Sequence, residues 1–420
     1  MKIIIIFILV TLNSIHPQSA VNQQTDTTLI WNLISSNEEK FKNFLSSPAK
    51  YEVQIIYTQI NRDADNYPHF NTFTFNLNSK EYFYPASTVK LPAAILALEK
   101  INELNLEGLD CHTPMRIDSV ETWQTRAQFD STSENGLPSV AHYIKKILLV
   151  SDNDAYNRLY EFLGQEYFNE KLRSKGLNDC RMVSRLSVFL SPEQNACTNP
   201  VTFYKNDKII FAQDQVCNKK SYPNKLQTTT RGIGYYQKDS LINEPKDFSN
   251  SNYISLEALH GILKRIIFPE AFPVYQRFNL TEKDYHFIYK YMGMFPRESI
   301  FPKYNSSDYP DNYVKFFMFW EPTDSLYKSM RIYNKVGQAY GYLIDNAYIV
   351  DLNKNIEFLL SAMIYVNEDQ IFNDDKYEYD EIGFPFLSNL GNIIYNYELR
   401  RERKIAPNLD KFNLNFKDID

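Results

Sequence analysis

Three short clusters hold the side chains whose types and spacing can do chemistry. In Tyr84-Pro85-Ala86-Ser87-Thr88-Val89-Lys90, a serine and a lysine stand three residues apart. On a helix that spacing puts them on one face, close enough for the amine to reach the hydroxyl. Serine alone is a weak nucleophile and needs an adjacent base. A lysine held neutral by burial and by neighbouring cations can be that base. Lys90 shares its helical face with Leu91, Ala94 and Ile95, which predicts partial desolvation of the amine. Pro85 precedes the helix and places Ser87 in the first turn, where free backbone N–H groups and the helix dipole favour an oxyanion. Pro92 is anomalous, because it removes a backbone bond early in the helix. The tetrapeptide alone identifies little: Ser47–Lys50 and Ser325–Lys328 match the same pattern, one interrupted by Pro48 at a helix end and one in a polar turn.

The second cluster is Ser151-Asp152-Asn153, between a helix ending at Val150 and one starting at Asp154. These residue types make good interhelical turns. They also offer a hydroxyl to relay a proton and an amide to bind a substrate amide. The third is Lys335-Val336-Gly337 on a strand near the C-terminus. A lysine there can attract a substrate carboxylate, and a glycine lets the strand approach a ligand closely. An exposed strand lysine beside a bulge is the plain alternative.

The elements that must position these clusters are legible from periodicity. Thr27 or Thr28 caps a helix predicted to run through Leu45, and Pro48 lies just past its end. Val53–Tyr57 and Phe70–Phe75 read as a β-hairpin around the turn-rich segment Asn61–Pro68. Helices are predicted from Ser87 onward and over Ser139–Val150, Asp154–Leu163, Ser255–Ile267 and Glu282–Tyr291. Arg331–Val336, Tyr342–Val350 and Ile356–Val366 read as strands, followed by an amphipathic helix over Pro385–Arg401. Pairing of the N- and C-terminal strands gives an α+β fold: one antiparallel sheet flanked by helices, with a mainly helical middle region. No internal repeat or low-complexity linker divides residues 21–420, so a single elaborated domain is expected.

Taken together, Ser-x-x-Lys, Ser-Asp-Asn and Lys-x-Gly in this order are a set known from class A β-lactamases and penicillin-binding proteins. At these positions, and in the order of its elements from Thr27 to Arg401, the chain resembles the class A serine β-lactamase family. The spacing from Ser87 to Ser151 is similar to the family's. The stretch from there to Lys335 is longer, which implies insertions near residues 205–250 and 295–313. The resemblance implies that Ser87 is acylated by a lactam or peptide carbonyl while Lys90 helps remove its proton. It implies that Ser151 passes a proton to the leaving nitrogen, that Asn153 holds the acylamide, and that Lys335 and Gly337 line the substrate carboxylate and strand edge. The oxyanion hole would be the backbone N–H groups of Ser87 and Gln338.

The chain departs from the family pattern twice. Val336 stands where the family has Thr or Ser; a missing charge-assisted bond of that kind costs on the order of 1.5–3 kcal/mol. No clear Glu-x-x-Leu-Asn follows Ser151 to supply the carboxylate that activates the deacylating water. The nearest candidate is Glu193, in Ser191-Pro192-Glu193-Gln194-Asn195, which also reads as a surface glutamate. If Glu193 stays outside the site, the acyl-enzyme should be long-lived. A hydrolase of the β-lactamase kind is therefore expected. The alternative is a penicillin-binding, DD-peptidase-like protein, or one deficient in turnover that recognises a peptidoglycan-like ligand.

Composition sets the limits. At 44% hydrophobic and 23% charged residues the chain can fill a core. A formal charge of −6 with acids and bases interspersed excludes the basic face of a nucleic-acid binder. The chain is rich in aromatics, with 31 Tyr and 29 Phe against 12 Gly. Lys2, the apolar run Ile3–Val10 and the exit Ser19-Ala20 form a secretory signal pattern, so residues 1–20 are expected to be removed and the protein exported, periplasmic or secreted. That run is too short to span a bilayer. The expected partner is a small β-lactam or a peptidoglycan-like peptide, with no nucleic acid, no stable membrane insertion and a monomeric state. The six His form no ligand pair at helical spacing beside a carboxylate, so no metal or other cofactor is expected. Cys111, Cys180, Cys197 and Cys217 fit no zinc spacing and read as buried thiols, although an even number in an exported protein permits two disulfides.

Overall fold

The structure, a computed structural model, describes residues 27–226, 228–318 and 329–416. The segment with the secretory pattern and the serine–lysine pair Ser325–Lys328 lie outside the described residues. The chain opens with helices α1 (Thr28–Ser35) and α2 (Glu38–Ser46), then strands β1 (Gln54–Arg62) and β2 (Pro68–Phe75). A middle section holds α3 (Lys90–Leu104), α4 (Val140–Val150), α5 (Asn153–Leu163), α6 (Gln165–Ser174), α7 (Pro192–Ala196), α8 (Leu256–Ile267) and α9 (Glu282–Gly293). Strands β3 (Met330–Ala339), β4 (Tyr342–Asp351) and β5 (Ile356–Tyr365) and helix α10 (Phe384–Arg400) close it.

The five strands make one antiparallel sheet in the order β3-β4-β5-β1-β2, with Gln54 opposite Met363 where the two ends of the chain meet. Period-two alternation divides the sheet between two cores. Ile55, Tyr57, Leu343, Ala347 and Leu360 face α1, α2 and α10. Ile56, Ile60, Ile344, Tyr348 and Leu359 face the other way, into the larger core built with α3, α4, α5, α8 and α9. Strands β4 and β5 are buried along their whole length; they are mostly apolar, and the polar residues of β4, Asp345, Asn346 and Asp351, are hydrogen-bonded.

Local signals explain the helix starts. Ser139, Ser255 and Thr281 cap α4, α8 and α9 by accepting from a backbone N–H three residues on. The single helix expected over Thr27–Leu45 is two, separated at Ser36-Asn37, where the side-chain amide of Asn37 turns back to donate to the Leu33 carbonyl at 2.8 Å. The segment expected to hold an insertion near 205–250 forms short β pairs, including Lys208–Gln213 against Val201–Lys205 and Lys246–Asp247 against Thr230–Arg231. Cys197 and Cys217 form a disulfide, correcting the expectation of free thiols there; Cys180 is a buried thiol and Cys111 a half-buried one. Among the described residues no helix is long and apolar enough to cross a membrane.

Candidate active site

The turn that carries Ser87 is tight. Ala86–Val89 is a single 3-10 turn and the α-helix proper begins at Lys90. This resolves the anomaly of Pro92, which falls in the first α-turn, where the backbone demand is least. Ala86 takes φ +46°, a left-handed conformation unusual for a residue with a Cβ, immediately before Ser87. Such strain persists only where the surroundings hold it, and here β3 does. A Cβ on Gly337 would stand 2.8 Å from the Pro85 carbonyl oxygen and 3.0 Å from Thr88 Cγ2. Only glycine lets the strand come this close to the serine.

The three clusters meet around one lysine. Lys90 Nζ lies 2.7 Å from Ser87 Oγ, 2.6 Å from Asn153 Oδ1 and 3.3 Å from Ser151 Oγ, and donates also to the Ser151 carbonyl. From the opposite side Lys335 Nζ donates to Ser151 Oγ at 2.8 Å and to the Val336 carbonyl at 2.9 Å. Ser151 sits at φ +59° as the left-handed cap of α4, which turns its hydroxyl between the two amines. Burial pulls the pKa of Lys90 down to about 7, against the opposing pull of Asp152. Burial, and then repulsion from Lys90, push that of Lys335 well below its ordinary value. Two amines sharing one hydroxyl in a dry site cannot both be charged cheaply, so the arrangement favours a neutral base beside Ser87.

Further groups hold this constellation and were not read from the sequence. Asp152 caps α5 through Ala155 N at 2.7 Å and pairs with Lys146 at 3.5 Å. Lys146 pairs in turn with Asp130 at 3.1 Å, which meets His142 at 3.0 Å. The signal available was the spacing of His142 and Lys146, four apart on one face of α4. Behind β3, Lys315 donates to the Met292 and Ile332 carbonyls and to Asn334 Oδ1, and Asn334 donates to Asp345 at 2.8 Å. This buried network fixes the strand one residue before Lys335.

Glu193 is not brought to the site. It lies exposed on α7, accepts from Ser191 Oγ at 2.7 Å and makes no hydrogen bond to Ser87, Lys90, Ser151 or Asn153. That bond from Ser191 holds its carboxyl below the ordinary value. The loop residue that meets the site is Ser187, whose Oγ accepts from Asn153 Nδ2 at 2.8 Å. The loop is anchored just before Ser187: Arg185 makes a two-pronged pair with Glu161 at 2.6 and 2.9 Å and donates to the Cys197 carbonyl at 2.7 Å. Asn157 Oδ1 accepts from Leu186 N at 2.8 Å. Gln338 is exposed at the outer end of β3, next to Gly337.

The family described as the beta-lactamase enzyme family matches residues 37–397. The chain belongs to this family. Its order of elements, with the serine at the head of a buried helix and the lysine strand at the sheet edge, is the serine hydrolase fold shared by β-lactamases and penicillin-binding proteins. Among solved structures it is similar to the beta-lactamase from Sphaerobacter thermophilus DSM 20745, at 10% identity over 88% of this chain and 97% of that one, with TM-score 0.48. It is similar to PBP-A at 12% identity, covering 87% and 95% of the two chains, also at 0.48. The TLA-1 extended spectrum beta-lactamase is 13% identical over 88% and 99%, again at 0.48. A comparison with curated proteins finds no match.

Proposed function

We propose that this protein is an exported serine acyl-transfer enzyme whose Ser87 attacks the carbonyl of a β-lactam or related peptide amide and whose acyl-enzyme is long-lived. The observation that carries the reading is the 2.7 Å contact between Ser87 Oγ and a buried Lys90 whose pKa lies near neutrality. Neutral Lys90 takes the hydroxyl proton as Ser87 Oγ bonds to the carbonyl carbon. The oxyanion is received by the backbone N–H groups of Ser87 and Gln338. The proton then passes through Ser151, which both lysines contact, to the leaving nitrogen, and the C–N bond breaks. Asn153 holds the acylamide and Lys335 the carboxylate. Lys335 regains its proton most readily when that carboxylate arrives, because an opposite charge offsets burial.

Slow release is supported by the loop. The position facing Asn153 carries the hydroxyl of Ser187, and Glu193 is turned to solvent beside Ser191. A hydroxyl is a poor base for activating water, so the ester outlasts its formation. This favours the penicillin-binding, DD-peptidase-like reading over efficient β-lactam hydrolysis. Incubation with a fluorescent penicillin should label Ser87 stoichiometrically, with no label on Ser87→Ala, and the label should persist for many minutes. Rapid multiple turnover of a chromogenic cephalosporin would favour the second reading, a β-lactamase; absence of any adduct by mass spectrometry would overturn both.

A further inference from the structure

Beyond Gln338 the edge strand β3 ends at Ala339, and Tyr340 follows in the turn into β4 with φ +55°. The Tyr340 ring packs on Tyr84, three residues before the nucleophile, with centroids 4.8 Å apart, and on Phe248 at 5.4 Å. Phe248 also meets Tyr84 at 5.6 Å. One wall of this cluster therefore adjoins the nucleophile turn and the other the short β pair at Lys246–Asp247. Into it projects Lys246. Lys246 Nζ lies 4.8 Å from the Tyr235 ring centroid, 5.5 Å from that of Tyr340 and 5.6 Å from that of Phe248. It is half-buried, and among the described residues no carboxylate stands within ion-pair distance of it. Its neighbour Asp247 is turned away, accepting from Ser249 and Thr229. Aromatic faces stabilise an ammonium but leave its formal charge unneutralised.

We infer that Lys246, Tyr340 and Tyr235, backed by the buried Phe248, form a subsite for an acidic group on the acyl side of the substrate, so that this enzyme prefers ligands carrying a second carboxylate beyond the reacting carbonyl. The inference rests on the acyl-transfer reading of Ser87 and adds the substrate class. An extended ligand lying along the free edge of β3 is anchored by Lys335 at one end and passes Gln338. From Gln338 to Tyr340 the strand advances about 7 Å. A straight chain of four methylenes between the amide carbonyl and a carboxylate spans about the same distance. Side chains with a carboxylate attached directly beside the amide are too short to reach the ammonium.

The test compares two penicillins that differ by one charge: one with an adipoyl side chain and one with the methyl ester of that side chain. The wild-type protein should be acylated at Ser87 about tenfold faster by the acid, as expected for one charge-assisted contact. Lys246→Met should abolish that preference while leaving acylation by the ester unchanged, and Lys246→Glu should reverse it. Equal acylation of wild type and Lys246→Met by both compounds would overturn the subsite and leave the acyl-transfer reading standing. If neither compound acylates Ser87, the acyl-transfer reading fails. The subsite is then decided by calorimetric binding of the same two compounds to Ser87→Ala with and without Lys246→Met, where an unchanged affinity ratio overturns it.

Discussion

On the proposed reading, Lys90 sets when this site can work, because only its neutral form can accept the Ser87 proton. With its pKa pulled down to about 7 by burial, the acylation rate should rise about tenfold per pH unit below neutrality and level off above it. Stopped-flow acylation by a fluorescent penicillin measures this profile. Asp152 pulls the Lys90 pKa upward, and Lys146 stands 3.5 Å from Asp152 as its counter-charge. Lys146→Met should therefore move the inflection to higher pH by a few tenths of a unit or more, about the size of one partly screened charge pair. Asp130→Asn leaves Lys146 to Asp152 alone and should move it the other way. An unshifted profile in both variants would show that the chain of ion pairs serves folding only. Ser87, Lys90, Ser151, Asn153 and Lys335 were legible as residues because their types are rare in combination and their order is specific. Glu193 was misplaced for a physical reason: spacing along a loop does not say which side chain turns inward, and the buried Arg185–Glu161 pair sets that for Ser187.

At the scale of elements, the site depends on how closely β3 packs against the nucleophile turn. Gly337→Ala should lower the acylation rate by roughly tenfold or more, because its Cβ would meet the backbone oxygen of Pro85 at 2.8 Å and force the strand and its Gln338 N–H away from Ser87. Competition labelling with a fluorescent penicillin reads that change, and circular dichroism verifies that the fold persists. The disulfide at the end of the Ser187 loop closes a sequence separation of 20 residues. Replacing Cys197 and Cys217 by serine should cost about 3 kcal/mol in urea unfolding. Helices α4, α8 and α9 were legible because each pairs a side-chain cap with an apolar stripe. The pieces between residues 205 and 250 were not, since apart from Lys208–Gln213 the strands there are two to four residues long, too short to show a period. The disulfide was missed because its partners come together only through the Val201–Gln213 hairpin folded between them.

Over the whole molecule, one sheet separates two cores, and the candidate catalytic groups belong to only one side. Leu360 is fully buried on the far face against α10. Leu360→Ala should destabilise the fold by about 2–5 kcal/mol while leaving the acylation rate of the folded protein unchanged, as denaturation and labelling would together reveal. The architecture was readable because its strands lie at the two ends of the sequence with helices between, an order that few folds share. The aromatic richness of the chain was visible from composition, but its placement around Tyr84, Phe248 and Tyr340 depends on contacts between segments far apart. On the proposed reading, the hydroxyl of Ser187 opposite Asn153 decides how the molecule acts in its surroundings. An enzyme that aims water at its ester is limited by speed and can clear any amount of substrate given time. One that does not is spent by each encounter, so its capacity is its copy number, and it records exposure to its ligand rather than removing it.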